Sequence, residues 1–379
     1  MQDLTDIQYP ILTRARTWTE APPIMCLTRK RWWVFVGINV ALVILGQTAA
    51  ILLGRFYYVE GGSSMFVATL AQTAGFPILC ILLILIPSPA VGSPPCNPRT
   101  KRHIFLIYLF LGVLLAGNNL LYALGLLYLS ASTYSLICVT QLAFNSVFSY
   151  FLNSQKFTPL ILNSVVVLSF SVALLAVNND SDTPSGVSKT EYAIGFLCTL
   201  GASAVYALLL SLMQLSFERV LKCETFAAVI KMQIYTSLVA TIVSIGGLFA
   251  SGQWRNLLIE MEEFNTGSPS YIMTLVWTAI SWQICSVGVV GSIYLVSSLF
   301  SNVVSTVALA AAPVASQVVF HDAMNGVKGI AMLLSLWGFA SYLFQNYVDD
   351  SRTVNSEKQI VESSIVSARK EPSCAVSLA

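Results

Sequence analysis

Charge is scarce in this chain, and its scarcity excludes more than any motif does. Asp, Glu, Lys and Arg make up 10% of the 379 residues, where a soluble domain carries about a quarter. Hydrophobic residues make up 56%, and the mean hydropathy is +0.73. A water-soluble fold of this length would lack the polar side chains to cover its surface, so that class is excluded. The formal net charge of +2 is too small to imply a nucleic-acid partner. With 22 Gly and 14 Pro in so apolar a chain, collagen-like and disordered classes fall away too. Two histidines and eight cysteines show no metal-ligand spacing. No paired acid and base sits within an apolar run, so the sequence points to no enzyme, no metal and no cofactor. Cys80, Cys138, Cys198 and Cys285 lie inside apolar runs and read as small packing residues, not as a disulfide framework.

What is abundant is long apolar runs. A bilayer core of roughly 30 Å needs about 20 apolar residues per helix. By that measure the first half of the chain holds candidate spans at Trp33–Leu53, Phe66–Ile86, Ile104–Leu127, Thr133–Leu152 and Leu160–Val177. The second half holds Ile194–Leu215, Phe226–Phe249, Ile272–Ile293, Leu299–Phe320 and Val327–Phe344. The runs are continuous rather than alternating, which argues against strands. The fold expected is an all-α integral membrane protein of ten transmembrane helices. Pro77 in span two and Pro313 in span nine are expected to kink their helices.

Lys and Arg set the orientation. With the N-terminus inside, sixteen of the 20 basic residues lie in or next to cytosolic segments, and only Arg55, Lys189, Arg255 and Lys328 fall outside. Both termini are therefore expected in the cytosol, with the first span acting as its own anchor. The sequon Asn179-Asp180-Ser181 falls in an outside loop, which is compatible.

Ten spans with both ends inside divide into two halves of five, and an odd-numbered half must be inverted. At an offset of 166 residues, Gly125, Tyr128, Leu129, Ser132, Ser135 and Thr140 meet Gly291, Tyr294, Leu295, Ser298, Ser301 and Thr306. The expected organisation is a cytosolic tail over 1–31, a first five-helix repeat over 32–178 and an extracellular loop over 179–190. A second repeat over 191–350 and a disordered cytosolic tail over 351–379 complete it. Inverted repeats mark transporters, whose site lies near the midplane between the halves.

None of the 18 carboxylates falls at mid-membrane; Glu260, Glu262, Glu263 and Asp322, for instance, read as outside-loop residues. That argues against a cationic substrate held by a buried ion pair, and it leaves any coupling group near an interface. The polar groups inside the spans are instead neutral: Gln47, Gln72, Thr73, Asn118, Asn119, Gln141, Asn145, Gln233, Gln283, Asn302 and Gln317, with Trp277 and Trp282 nearby. An amide offers a donor beside an acceptor, matching the edge of a nucleobase, and indoles and phenols offer faces for stacking. The bland alternative is that these amides join helices, at about 0.6 kcal/mol per bond. Asn118, Gln141, Trp282 and Gln283 are the leading candidates for substrate contact, followed by Gln47, Asn119, Tyr122 and Asn302. Any proton carrier is therefore expected near a mouth, where Asp322 beside His321 is the titratable pair that could supply it; a solvated turn is the alternative.

Several blocks carry a family likeness. Gly46-Gln47, Leu53-Gly54-Arg55-Phe56-Tyr57-Tyr58, Gln72-Thr73-Ala74-Gly75-Phe76-Pro77, Gln155-Lys156-Phe157-Thr158-Pro159 and Ser297-Ser298-Leu299-Phe300-Ser301-Asn302 resemble the plant purine permeases of the drug/metabolite transporter superfamily. The likeness runs from about Trp32 to Asp350. It implies proton-coupled uptake of purine-like heterocycles (adenine, cytokinins and related compounds) by alternating access in a ten-helix, inverted-repeat fold. The partners implied are a purine-like small molecule, protons and the lipid bilayer, with a monomer expected and an oligomer left open. The plasma membrane is the expected location and an internal membrane the alternative. Leu295 stands where the family carries an acidic residue late in span eight, and Ala323 where a charged residue usually follows Asp322. Two other readings therefore stay open: the same fold carrying pyridoxine or an alkaloid, and a facilitator without proton coupling.

Overall fold

The computed structural model describes residues 29–85, 98–152, 158–177, 187–216, 226–295, 298–321, 325–341 and 344–345. All the helices below belong to one compact unit, Leu27–Tyr342; the other unit, Met1–Cys26 with Leu343–Ala379, is almost wholly outside the described residues. The sequon Asn179-Asp180-Ser181, almost all of the N-terminal tail and the C-terminal tail also fall outside them.

The described residues are helical, without a strand. The order is α1 (Arg29–Val59), α2 (Met65–Thr73), α3 (Pro77–Leu85), α4 (Pro98–Tyr128), α5 (Ala131–Cys138), α6 (Gln141–Leu152) and α7 (Pro159–Val177). There follow α8 (Lys189–Ser216), α9 (Phe226–Ala250), a 3-10 turn at Gln253–Asn256, α10 (Leu257–Glu262), α11 (Ser268–Leu295) and α12 (Ser298–Phe320). The last is α13 (Gly326–Ser341). Seven segments are long and apolar enough to cross a membrane, and three further apolar helices are shorter: Pro159–Leu175, Val304–Phe320 and Gly326–Ser341.

The exterior is apolar. Ile84, Phe151 and Val318 are 82%, 73% and 73% exposed, and Leu45, Phe105, Leu197 and Leu333 also point outward. Such a surface is stable only against lipid. Trp277 is 54% exposed and belongs to this belt, not to the interior, and Gln317 is exposed as well. The interior is built from small residues: Ala50, Ala123, Ala202, Ala240, Ala308 and Ala312 are at most 1% exposed. Small side chains let helix backbones approach where lipid supplies no hydrophobic drive between helices.

That approach is closest between α1 and α11, the most extensive pairing in the unit. A Cβ on Gly46 would stand 2.7 Å from the Cys285 nitrogen, and one on Gly288 would stand 2.8 Å from the Asn39 carbonyl. The pairing of α4 with α8 is next, with Gly125 against Thr199 and Gly195 against Tyr128. α12 packs on α1 and α5, and α9 on α2 and α4. α7 meets α13 through hydroxyls: Ser171 Oγ donates to the Ala331 carbonyl at 2.8 Å and lies 3.0 Å from Ser335 Oγ.

Two expected spans are interrupted. The run expected as Phe66–Ile86 breaks between Thr73 and Pro77. Proline lacks an N–H and disfavours helical geometry in the residue before it, so α3 starts afresh at Pro77. The run expected as Thr133–Leu152 breaks at Val139-Thr140, where the Thr140 hydroxyl donates back to the Ile137 carbonyl at 2.6 Å and offers that oxygen a partner outside the helical ladder. α12 instead runs unbroken through Pro313.

Candidate functional site

A narrow cleft opens between α1, α2, α4 and α11, walled by Gly54, Tyr57, Tyr58, Ala71, Gln72, Ala123, Thr278 and Trp282. Its free volume is about 10 Å3, roughly the space of one water. Little free space lies between its walls. Helical register extends it inward. Gln47 precedes Gly54, and Asn119 precedes Leu126, by seven residues, which returns each to the cleft-facing side of its helix.

The amides in this region are buried and, in part, unpaired. Gln47, Asn118 and Gln283 are 8%, 1% and 2% exposed, and the carbonyl oxygen of each, like the Tyr58 hydroxyl, has no hydrogen-bond partner among the described residues. The contrast with the hydroxyl residues is informative. Thr69, Ser135, Thr199, Ser203, Thr241 and Thr278 all donate to the carbonyl one turn back, so each satisfies itself within its own helix. Those longer amides stay unsatisfied, and a buried acceptor without a donor costs about 1–3 kcal/mol.

Gln283 sits where the broken helix comes closest. A Cβ on Gly75, in the gap between α2 and α3, would lie 2.8 Å from the Ala279 carbonyl and would collide with Gln283 Cγ. The interruption at Pro77 therefore lays bare backbone against α11 beside a buried amide. On the α4 side, Tyr122 meets Tyr134 of α5 and Tyr206 of α8 edge to face, at ring separations of 5.8 and 6.5 Å. Tyr134 lies near Tyr58, and Tyr206 near Cys285 of α11, so this tyrosine group borders the same centre. Asn119 and Gln141 are buried at 8% and 4% exposure, Gln141 as the first residue of α6 directly after its break. Trp282 is half-buried in the cleft wall. Asn302 lies on α12, its side chain outside the described residues. His321 is exposed in the turn after α12 with a left-handed φ of 55°; its expected partner Asp322 is outside the described residues.

Three charged residues behave differently from ordinary loop residues. Glu260, expected in an outside loop, is only 7% exposed: it accepts hydrogen bonds from the hydroxyls of Tyr57, of Ser63 at 2.9 Å and of Tyr271 at 3.2 Å. One sequence signal could have found it. Leu257, Glu260, Met261 and Phe264 share one helical face, which puts Glu260 in an apolar stripe while Glu262 and Glu263 face out. Lys328 is 2% exposed, with its ammonium donating to Ser132 Oγ at 3.1 Å. Arg55 caps the end of α4, its guanidinium donating to the carbonyls of Leu126 at 2.7 Å and Leu127 at 3.1 Å. These contacts, with Ser64 Oγ on Gln253 Oε1 at 2.8 Å and the Asn265 N–H on the Glu60 carbonyl at 3.0 Å, gather the turns after α1, α4, α9 and α12 at one end of the bundle.

An apolar exterior around buried polar side chains defines a multi-pass helical membrane protein. Residues 34–352 match the family described as purine nucleobase transmembrane transport. The chain is 59% identical to probable purine permease 11 of Arabidopsis thaliana, over 97% of its own length and 96% of that protein's. It is 53% identical to probable purine permease 13 of the same plant, over 89% and 93% of the two chains. The identity with purine permease 21 is 48%, over 87% and 85%. The chain belongs to the purine permease family, a family of membrane transporters and not of enzymes.

Proposed function

We propose that this protein takes up purine-like heterocycles, adenine and cytokinins among them, by proton-coupled alternating access at the plasma membrane. The observation that carries the substrate class is the set of unpaired buried acceptors on three helices, at Gln47, Asn118 and Gln283. Three amide acceptors buried on three helices suit a ligand that donates to them. A purine ring brings N–H donors and a flat face, and Trp282 and Tyr122 supply aromatic partners. The discontinuous helix beside Gln283 matches the way transporters build sites at the midplane.

The architecture proposed is ten spans in two inverted repeats: α1, α2–α3, α4, α5–α6 and α7, then α8, α9, α11, α12 and α13. The helix pairings support it, because the most extensive of them recur five spans further on. α1 on α11 has its counterpart in α8 on α4, α1 on α12 in α8 on α6, and α4 on α9 in α11 on α2. Gly125 and Gly291, which the 166-residue offset superposes, hold equivalent places, one against Thr199 of α8 and the other against Asn39 of α1. With both termini cytosolic, the shared end formed by the turns after α1, α4, α9 and α12 is the outer one.

Uptake of labelled adenine into cells expressing the chain tests the reading. We expect Gln283→Ala and Asn118→Ala, at normal surface expression, each to weaken apparent affinity roughly tenfold to a hundredfold, the loss of one buried hydrogen bond. Unchanged affinity in both would overturn the site, and no uptake by the wild type would overturn the substrate class.

A further inference from the structure

The 3-10 turn and α10 are tied to α1, to the start of α2 and to α11 by hydrogen bonds at Tyr57, Ser64 and Tyr271, and Tyr57 lines the cleft. Phe264 closes the assembly, edge to face with Phe56 at 6.4 Å and with Tyr271 at 5.3 Å. The polar fastening is Glu260. One carboxylate oxygen takes the hydroxyls of Tyr57 and Tyr271, and the other takes Ser63. Among the described residues it is the one buried carboxylate, and no described cation pairs with it. The titratable groups facing it are Tyr57 and Tyr58 from α1 and Tyr271 from α11. Glu262 and Glu263 on its own segment are exposed. Of the cations at this end, Arg55 caps α4, Arg255 stacks over Trp254 at 5.6 Å and Lys328 engages Ser132.

We propose that Glu260 is the proton-binding residue of the transport cycle and that its protonation releases the segment closing the cleft. The proposal rests on the proton-coupled reading given above. A buried carboxylate held by hydroxyls alone is the kind of group that can gain and lose charge during a cycle. Charge-assisted hydrogen bonds are roughly twice as strong as neutral ones, so three such bonds fasten the segment while Glu260 is ionised. A proton from the outer solution forms an O–H bond on the carboxylate, breaks no bond and leaves the group neutral. The side chain then becomes a donor toward Tyr57. Tyr57 has a second acceptor ready, since its hydroxyl lies 3.3 Å from the Ser64 carbonyl and already accepts from the Ser64 N–H at 3.2 Å. Tyr57 is also part of the cleft wall, so the switch in its hydrogen bonding is felt where the substrate enters.

The test uses the full chain in liposomes with labelled adenine. One measurement is exchange at equal pH on both sides, and the other is accumulation driven by an acid exterior. One pH unit supports roughly tenfold accumulation at one proton per substrate. Glu260→Gln is expected to keep exchange, now independent of pH, and to lose accumulation. Undiminished accumulation in Glu260→Gln would overturn the proposal. So would loss of both exchange and accumulation in Glu260→Gln protein that elutes as wild type does, because Glu260 would then be a strut. Loss of accumulation in Asp322→Asn alone would transfer the role to Asp322. A wild type that exchanges adenine without accumulating it would refute proton coupling itself, and the role of Glu260 with it.

Discussion

At the scale of single residues, the separation that matters is between polar groups that complete their own hydrogen bonds and those that do not. Serine and threonine reach the carbonyl one turn back, so they are tolerated anywhere in a membrane helix. Glutamine and asparagine can donate in the same way, as Asn39 does to the Phe35 carbonyl at 2.8 Å, but their acceptor is left over, and Gln47, Asn118 and Gln283 keep open acceptors. Arg55 illustrates the opposite case, a charge that completes the hydrogen bonds of another helix. The last carbonyls of a helix have no partner within it, and two of those of α4 are met by this guanidinium. Replacing Arg55 by Leu is expected to cost about 1–3 kcal/mol, seen as a lower unfolding temperature in detergent, while Arg55→Lys recovers part of the loss. Equal stability of Arg55→Leu and wild type would show that water serves those carbonyls equally well.

Elements are decided by how near two backbones can come. Gly288 faces α1 at a point where a Cβ would stand 2.8 Å from the Asn39 carbonyl and from the Val43 nitrogen. Backbone atoms cannot step aside, so Gly288→Val forces α1 and α11 apart. Overpacking of this kind costs about 1–3 kcal/mol, and the expected result is less folded protein and a lower unfolding temperature. Gly117→Ala, with nothing within 4 Å of the new methyl, is the matched control and is expected to be neutral or mildly stabilising. The break at Pro77 was legible as a kink from the proline alone, but its placement against Ala279 and Gln283 was not, because that depends on a helix some 200 residues away. The break at Val139-Thr140 had no proline to announce it.

For the whole molecule, the hydrogen bonds between the Glu60–Ser64 turn and the Gln253–Asn265 segment require those two regions to share a face of the membrane. Single cysteines at Gly61 and Thr266, in a background without native cysteines, are expected to react with an impermeant thiol reagent from outside intact cells. A cysteine at His103 is expected to react only after permeabilisation. Labelling of Gly61 and Thr266 from opposite sides would contradict the fold, and labelling of both from the cytosol would invert the orientation.

The residues along the chain were enough to establish the class. Too few charges to clothe a soluble surface, apolar runs of bilayer length and the ordered family blocks required a helical membrane transporter without reference to any contact. They also picked out the amides, since an unionised polar group in a span is conspicuous by position. What they did not reveal was which loop charges are withdrawn from water. Glu260 and Lys328 look like solvated loop residues in the sequence, and each is buried only because distant helices close over it. Burial of a loop side chain is a property of what packs against it, and for Glu260 those partners, Tyr57, Ser63 and Tyr271, meet only in the assembled bundle.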